Sequence, residues 1–398
     1  MNKSKLKIAY FLDNFFPQIN GVVTSSINTA KEMSHLGHKI FGIVPSIKKS
    51  LDYEEDYFPF PTYIQNGFEA SFYPDFIFTF PFSNSLFKAV KSFLPDIIHF
   101  HAPFTIGYQA IRIARKLKIP VVGTFHTFFA EPEYLDVIKL GKLKLFQFIG
   151  WWYSNQFFDR CDAVVSPSNA TASILKNNNL KKHIPLHIIS NGIEYSKYSN
   201  FNFVNKFPIE IDEKDRYAIY VGRVSNEKCL NVLFNAVSLI KDSHNLKLII
   251  VGGGPDLEKH KNEIKLKNLD KNIFFTGMIP NKELLESGIF HKVKFFVTAS
   301  TSENQPMTIL ESMMFGLPII GPDAKGIPEM IEHGNGLIFK SNDVEDLANK
   351  MKIFLDDEDL RIKCSKRSIE LIPNHDIKNT TQIMEKLYYD TIENYNKN

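Results

Sequence analysis

Cysteine is scarce. Cys161, Cys229 and Cys364 are the only three in 398 residues, odd in number and widely spaced, which argues against a disulfide framework or a cysteine-built metal cluster and points to a reducing cytoplasm. Long apolar runs are lacking too. No stretch approaches the roughly 20 residues that span a bilayer, and the run from Ile8 to Leu12 stops at Asp13, too short for a signal segment. Any contact with a membrane is therefore expected at its surface. Charge of one sign is also in short supply: 47 Lys+Arg against 44 Asp+Glu leave a net +3, so nothing calls for nucleic acid. Phenylalanine, by contrast, is plentiful at 35. Codon bias toward Phe, Ile, Asn and Lys accounts for that total but not for the crowding between Phe68 and Phe93, where Pro59, Pro61, Pro74 and Pro81 interrupt any long helix around it. Length and a 44% hydrophobic content suit two globular domains.

Apolar strand-like runs alternate with helical segments. In the first half they run from Leu6 to Leu12, Lys39 to Val44, Asp96 to Phe100, Val121 to Phe125, Ala163 to Ser166 and His187 to Ser190, with helices expected near Val22 to Leu36 and Ile106 to Leu117. Such alternation predicts α/β domains with parallel, doubly wound sheets. From Tyr195 to Asp215 the pattern lapses, and a second series starts at Tyr217, continuing through Leu246 to Val251, Ile273 to Thr276, Phe295 to Ala299, Ile319 to Gly321 and Gly336 to Phe339. The expected division is a first domain over 1–195, a linker over 196–215, a second domain over 216–376, and a final helix within 377–398. No internal repeat is visible.

Chemistry gathers where strands end. Tyr217 to Val221 runs into Gly222-Arg223-Val224-Ser225-Asn226-Glu227-Lys228, placing two cations at the mouth of a helix whose dipole they oppose. A guanidinium fork, an ammonium and helix N–H groups together suit a diphosphate. Gly252-Gly253-Gly254-Pro255, after the next strand, is either a close backbone approach or a plain tight turn. Glu303 and Glu311 flank the passage from the strand at Phe295 to a helix near Met307 to Phe315, where an open α/β sheet binds its ligands. Each carboxylate can hold vicinal hydroxyls of a sugar.

These features, with Thr276-Gly277-Met278-Ile279, occur in an order that resembles the retaining glycosyltransferases of the GT-B fold, family 4. The likeness extends to Pro17-Gln18-Ile19-Asn20-Gly21-Val22-Val23-Thr24-Ser25, His126-Thr127 and Ser190-Asn191-Gly192-Ile193-Glu194, and so covers nearly the whole chain. The amino-terminal run and Asn304-Gln305-Pro306-Met307-Thr308 look most like the bacterial diacylglycerol glycosyltransferases. The resemblance implies two Rossmann-like domains facing across a cleft, with the C-terminal helix crossing back to the first. It implies a UDP-sugar donor, glucose or galactose transferred to diacylglycerol with retention, and a peripheral place on the inner face of the cell membrane; the rival expectations are transfer to a soluble sugar, phosphoinositol or another polyol, and sugar-nucleotide binding without transfer.

Roles follow from the same resemblance. Arg223 and Lys228 take the departing diphosphate, Glu311 the ribose hydroxyls, Glu303 the hydroxyls of the transferred sugar, and His126 lies beside that sugar. Gly21 opens the first helix and lets its N-terminus approach the phosphates, unless it is only a cap. Gly253, Met278, Ile279, Asn304, Gln305, Pro306, Met307 and Thr308 complete the expected donor site. Pro306 and Cys229 stand where the family commonly has glycine. His99 and His101 flank Phe100 and are expected on opposite strand faces, with His101 the better candidate because Ala102-Pro103 leads it into the loop.

No cofactor or tightly bound metal is expected. The D-x-D string in Asp356-Asp357-Glu358-Asp359 reads as a solvated loop with a helix cap. For the acceptor, Lys139, Lys142, Lys144, Trp151 and Trp152 lie in the segment from Leu135 to Phe158, whose lysines suit anionic headgroups and whose Trp side chains suit headgroup depth. Its apolar positions form no single stripe, so a buried helix is the competing expectation. Oligomeric state is not legible.

Overall fold

The computed structural model describes residues 4–15, 20–47, 58–69, 77–126, 144–198, 203–204, 206–212 and 214–397. The chain divides into two units, Met1–Ile193 with Ile377–Asn398, and Glu194–Asp376.

The first unit is built on eight strands: β1 (Lys7–Phe11), β2 (Lys39–Ser46), β3 (Thr62–Glu69), β4 (Ile77–Thr79), β5 (Ile97–Phe100), β6 (Val121–Thr124), β7 (Ala163–Ser166) and β8 (Leu186–Ile188). Their order is β4-β3-β2-β1-β5-β6-β7-β8, and every pair is parallel except β3 with β4. Both faces of the central strands are covered, which is why they read as continuous apolar runs. Ala9, Phe11, Ile98, Phe100 and Val164 pack under three helices, α2 (Asn84–Phe93), α3 (Thr105–Leu117) and α4 (Lys144–Phe158). Ile8, Tyr10, Ile97, Val122 and Val165 face α1 (Gly21–His35) and the C-terminal helix Ile377–Lys397, which brings Met384, Leu387 and Tyr388 back onto this sheet.

Helix starts are set by side chains that satisfy leading N–H groups. Asn20 takes the N–H of Val23 at 3.0 Å to begin α1. Phe104, just before α3, has no such group, and Asp13 from the loop after β1 accepts Ile106 N–H and Gly107 N–H instead, at 2.8 and 2.9 Å.

β3 and β4 were not among the expected strands. Pro59, Pro61 and Pro81 read as breakers, yet they flank strands at the sheet edge, where a missing N–H is tolerated. Phe68 sits opposite Phe78 in the antiparallel pair, ring centroids 6.1 Å apart, so part of the phenylalanine crowding belongs to this edge.

The second unit carries β9 (Arg216–Val221), β10 (Leu246–Val251), β11 (Ile273–Gly277), β12 (Phe295–Val297), β13 (Ile319–Pro322) and β14 (Gly336–Phe339), all parallel, in the order β11-β10-β9-β12-β13-β14. The order reverses between β9 and β12. The crevice for a ligand in such a sheet opens at that reversal, beyond the strands' carboxyl ends.

Candidate functional site

The loops after β9, β10 and β11 are tied together by their backbones. Gly222 N–H donates to Val251 O at 3.0 Å, Val224 N–H to Gly253 O at 2.9 Å, and Gly252 N–H to Gly277 O at 2.9 Å. The glycine run is thus a close approach and not a plain turn. A Cβ on Gly252, where φ is +143°, would stand 1.9 Å from Gly222 O, and one on Gly254 would stand 2.3 Å from Val224 O; only glycine permits this contact. Gly253, the member expected at the ligand, is the least constrained, since its Cβ would meet nothing nearer than Met278 at 3.7 Å. The loop they brace carries Arg223, whose carbonyl also accepts from the buried Tyr220 hydroxyl at 3.1 Å. Burial pushes that phenol's pKa up.

Cys229, expected as a departure from a glycine position, has a left-handed backbone, with φ +53° and ψ +38° between the turn Asn226–Lys228 and the helix Leu230–His244. For a residue with a Cβ this costs on the order of 1–2 kcal/mol.

Lys228 reaches across the strand reversal to Glu303, with Nζ 2.5 Å from Oε1 and both side chains largely buried. The Glu303 carbonyl takes Gly326 N–H at 3.1 Å, which fixes the loop after β12. Asn304 and Gln305 are buried behind it. Pro306 immediately precedes the helix Met307–Met314, and no side chain caps that helix, whose leading N–H groups, those of Met307 and Thr308, have no acceptor within the helix itself. Met278 is exposed and Ile279 half-buried on the loop after β11.

Glu311 is buried within this helix. Its Oε1 accepts from Asn281 Nδ2 at 2.9 Å, while Oε2 has no hydrogen-bond partner among the described residues. Burial raises its pKa from the ordinary 4.5 to about 7, against the Asn281 hydrogen bond that lowers it. A buried carboxylate oxygen without a donor is costly and suits a ligand hydroxyl. Asn281 escaped the sequence reading; its only signal is a polar residue opening the helix Asn281–Glu286 just past Met278-Ile279-Pro280.

In the first unit the strand order reverses between β1 and β5, and there the histidines gather. His99 and His101 lie on the same side, with ring centroids 4.1 Å apart. The expectation of opposite faces was wrong because residues two apart along a strand share a face. His126 Nε2 stands 3.1 Å from His101 Nδ1. Burial lowers all three, His99 to about 3 and His126 to about 4, so the cluster is neutral at pH 7. Gly21 is the first residue of α1 at the same end of this sheet.

Trp151 is not at the surface as expected. It is 7% exposed and stacks on Phe125 at 5.9 Å, whereas Trp152 is 56% exposed; neighbours on a helix point about 100° apart, and here the turn takes one ring into the core and the other out of it. Leu145, Phe148 and Ile149 join Trp152 on the exposed side, so α4 is core on one face and apolar surface on the other. Lys144 begins it. Lys139 and Lys142, like Pro17, Gln18, Ile19 and Thr127, lie outside the described residues. Within the acidic string, Asp357 caps the next helix by accepting Leu360 N–H at 2.8 Å. Among the described residues no group of three or more His, Cys, Asp or Glu is placed to hold a metal ion, and no helix is long and apolar enough to cross a membrane.

Two doubly wound units with largely parallel sheets, one with Lys228 and Glu303 paired across its strand reversal, define a GT-B glycosyltransferase. Residues 19–197 match the model for Glycosyltransferase Family 4 and residues 202–371 that for Glycosyl transferases group 1; the chain belongs to family 4 and is a hexosyltransferase. It is 28% identical to an alpha-monoglucosyldiacylglycerol synthase of Streptococcus pneumoniae, over 98% of this chain and 84% of that protein. It is 26% identical to one of Acholeplasma laidlawii, over 98% and 99%. The Anabaena protein HepE, solved in complex with UDP-glucose, superposes with a TM-score of 0.75 over 97% of this chain and 100% of its own, at 16% identity.

Proposed function

We propose that this enzyme transfers glucose or galactose from a UDP-sugar to 1,2-diacylglycerol with retention of configuration, forming an α-monohexosyl-diacylglycerol at the inner face of the cell membrane. The observation that carries the donor half is the Glu311 Oε2, buried and without a partner among the described residues, in the same unit as the Lys228–Glu303 pair that spans the strand reversal. A ribose hydroxyl satisfies the first. Arg223 and Lys228 supply preorganised positive charge where the sugar–phosphate bond breaks and negative charge develops on the leaving diphosphate, the largest contribution expected in such a reaction. Glu303 orients the sugar, and the reaction needs no bound metal. The UDP-glucose complex of HepE and the names of the two relatives support this donor and this acceptor.

The surface of the first unit supports the membrane half. Helices α2, α3 and α4 cover one side of the sheet and carry Lys88, Lys91, Arg112, Arg115, Lys116 and Lys144 without a single Asp or Glu. Phe82 is exposed with the Arg112 guanidinium 4.2 Å over its ring, and Leu145, Phe148, Ile149 and Trp152 of α4 are exposed as well. Cations with exposed aromatics suit an anionic lipid surface. Purified protein given UDP-glucose or UDP-galactose with diacylglycerol vesicles, or with soluble polyols instead, tests the reading. Sugar passing into the lipid extract is expected. Transfer only to soluble acceptors would overturn the acceptor assignment.

A further inference from the structure

The histidine cluster of the first unit fixes where one proton sits. Ser26, in α1, donates its hydroxyl hydrogen to Val22 O at 2.8 Å. Toward His101 Nδ1, 2.9 Å away, its oxygen is then an acceptor. His126 Nε2 stands 3.1 Å from the same Nδ1. A bare Nδ1 lone pair takes one donor, whereas an Nδ1–H can be shared between two acceptors. The remaining nitrogen, His101 Nε2, is buried and has no hydrogen-bond partner among the described residues. Unpaired buried acceptors are tolerated more often than unpaired buried N–H groups, so both sides of the ring place the hydrogen on Nδ1.

The ring has little freedom to do otherwise. His99 is clamped at both nitrogens, by the Tyr388 hydroxyl at 2.6 Å and Thr124 Oγ1 at 2.7 Å. Tyr388, from the C-terminal helix, also meets the Tyr10 hydroxyl at 3.1 Å. His101 is held between the His99 ring and Tyr10, which stacks on it at 5.4 Å.

We infer that Ser26 and His101 are positioning residues for His126: the His101 Nδ1–H, anchored on Ser26, donates to His126 Nε2 and so keeps the His126 proton on Nδ1, where it serves as a hydrogen-bond donor to the transferred sugar. This rests on the reading of His126 as the residue beside that sugar. Because burial holds His126 neutral at pH 7, its tautomer, and not its charge, decides whether it donates or accepts at a given atom.

Full-length protein labelled with [15N]histidine tests this through two-bond ¹H–¹⁵N spectra, with His126 assigned by its loss in His126→Gln. The parent should show His126 as the Nδ1–H form. His101→Leu removes the donor, so His126 should gain Nε2–H population, and kcat with UDP-glucose should fall about tenfold or more with little change in KM. His101→Asn, whose amide N–H reaches the Nδ1 position, should restore both. A parent His126 in the Nε2–H form overturns the inference without need of any variant, as does a His126 tautomer unaffected by His101→Leu in a protein that still melts cooperatively. If the tautomers behave as expected while His126→Gln turns over at the parental rate, the sugar-side reading of His126 has failed and the hydrogen-bond assignment holds.

Discussion

Lys228 Nζ and Glu303 Oε1 lie 2.5 Å apart and join the loop after β9 to the loop after β12 at the point where the strand order reverses. The residue assigned to the diphosphate and the residue assigned to the sugar are therefore one coupled pair. An ammonium carries three donors, so holding Glu303 does not prevent Lys228 from also taking a phosphate oxygen.

Replacing Lys228 or Arg223 by Ala should lower kcat by about 10²-fold or more, as for loss of a charge-stabilising donor. Because Lys228 and Glu303 touch, the double variant Lys228→Ala/Glu303→Gln should lose less than the sum of the single losses, by roughly 0.5–3 kcal/mol. Steady-state rates of the four proteins check this. Strict additivity would show the contact to be irrelevant to turnover.

Glu311 gives a pH dependence. With its pKa raised to about 7, the carboxyl is mostly protonated at pH 6 and mostly ionised at pH 8, and only the ionised form accepts two ribose hydroxyls. UDP affinity should therefore rise between these values, and Glu311→Gln should weaken binding and flatten the profile. Glu303→Gln should spare UDP while damaging sugar transfer. The sign for stability is separate: the folded carboxyl holds a proton that the unfolded chain releases near 4.5, so its contribution to the fold weakens as pH rises from about 4.5 through about 7. Calorimetric titration of UDP at several pH values, with thermal melts alongside, reads both.

Transfer should survive removal of divalent ions. Chelator-treated enzyme should keep most of its activity in the donor assay, although Mg²⁺ can still act through lipid or product. Complete loss, restored only by a stoichiometric and tightly held metal, would contradict the proposed mechanism.

Binding to vesicles should be reversible, weaken with salt and depend on anionic lipid, since each cation near such a surface contributes on the order of 1 kcal/mol. Substituting Lys139, Lys142 and Lys144 by Gln, or Phe148 and Trp152 by Ser, should reduce flotation with vesicles and turnover of bilayer diacylglycerol while leaving UDP affinity intact. Trp151→Ser should act differently, by lowering the melting temperature, because that side chain is core. Equal vesicle binding by the parent and both sets of variants at low salt would remove these residues as the anchor.

The parallel strands were legible because burial on both faces writes each as a short apolar run, and their carboxyl ends led directly to Arg223, Lys228 and Glu303. The edge strands β3 and β4 were not, since their prolines carry the same local signal as a loop. Trp151 and Trp152 were grouped by adjacency although helical geometry separates them, and His99 and His101 were separated although strand geometry joins them; both errors were open to correction from period alone. Asn281 beside Glu311, and Ser26 beside His101, were out of reach. Those contacts link residues 30 and 75 positions apart, and no local pattern records them. The roles of Glu303 and Glu311 came from the family resemblance, not from their spacing.

The most direct test of hexose transfer to diacylglycerol is the product itself. Purified enzyme is incubated with UDP-glucose or UDP-galactose and 1,2-diacylglycerol in anionic vesicles, and the lipid extract is characterised by mass spectrometry and by the coupling constant of the anomeric proton. The account predicts a monohexosyl-diacylglycerol with α configuration, formed in step with UDP release. UDP release with free hexose and no glycolipid, or a β-linked product, would contradict it.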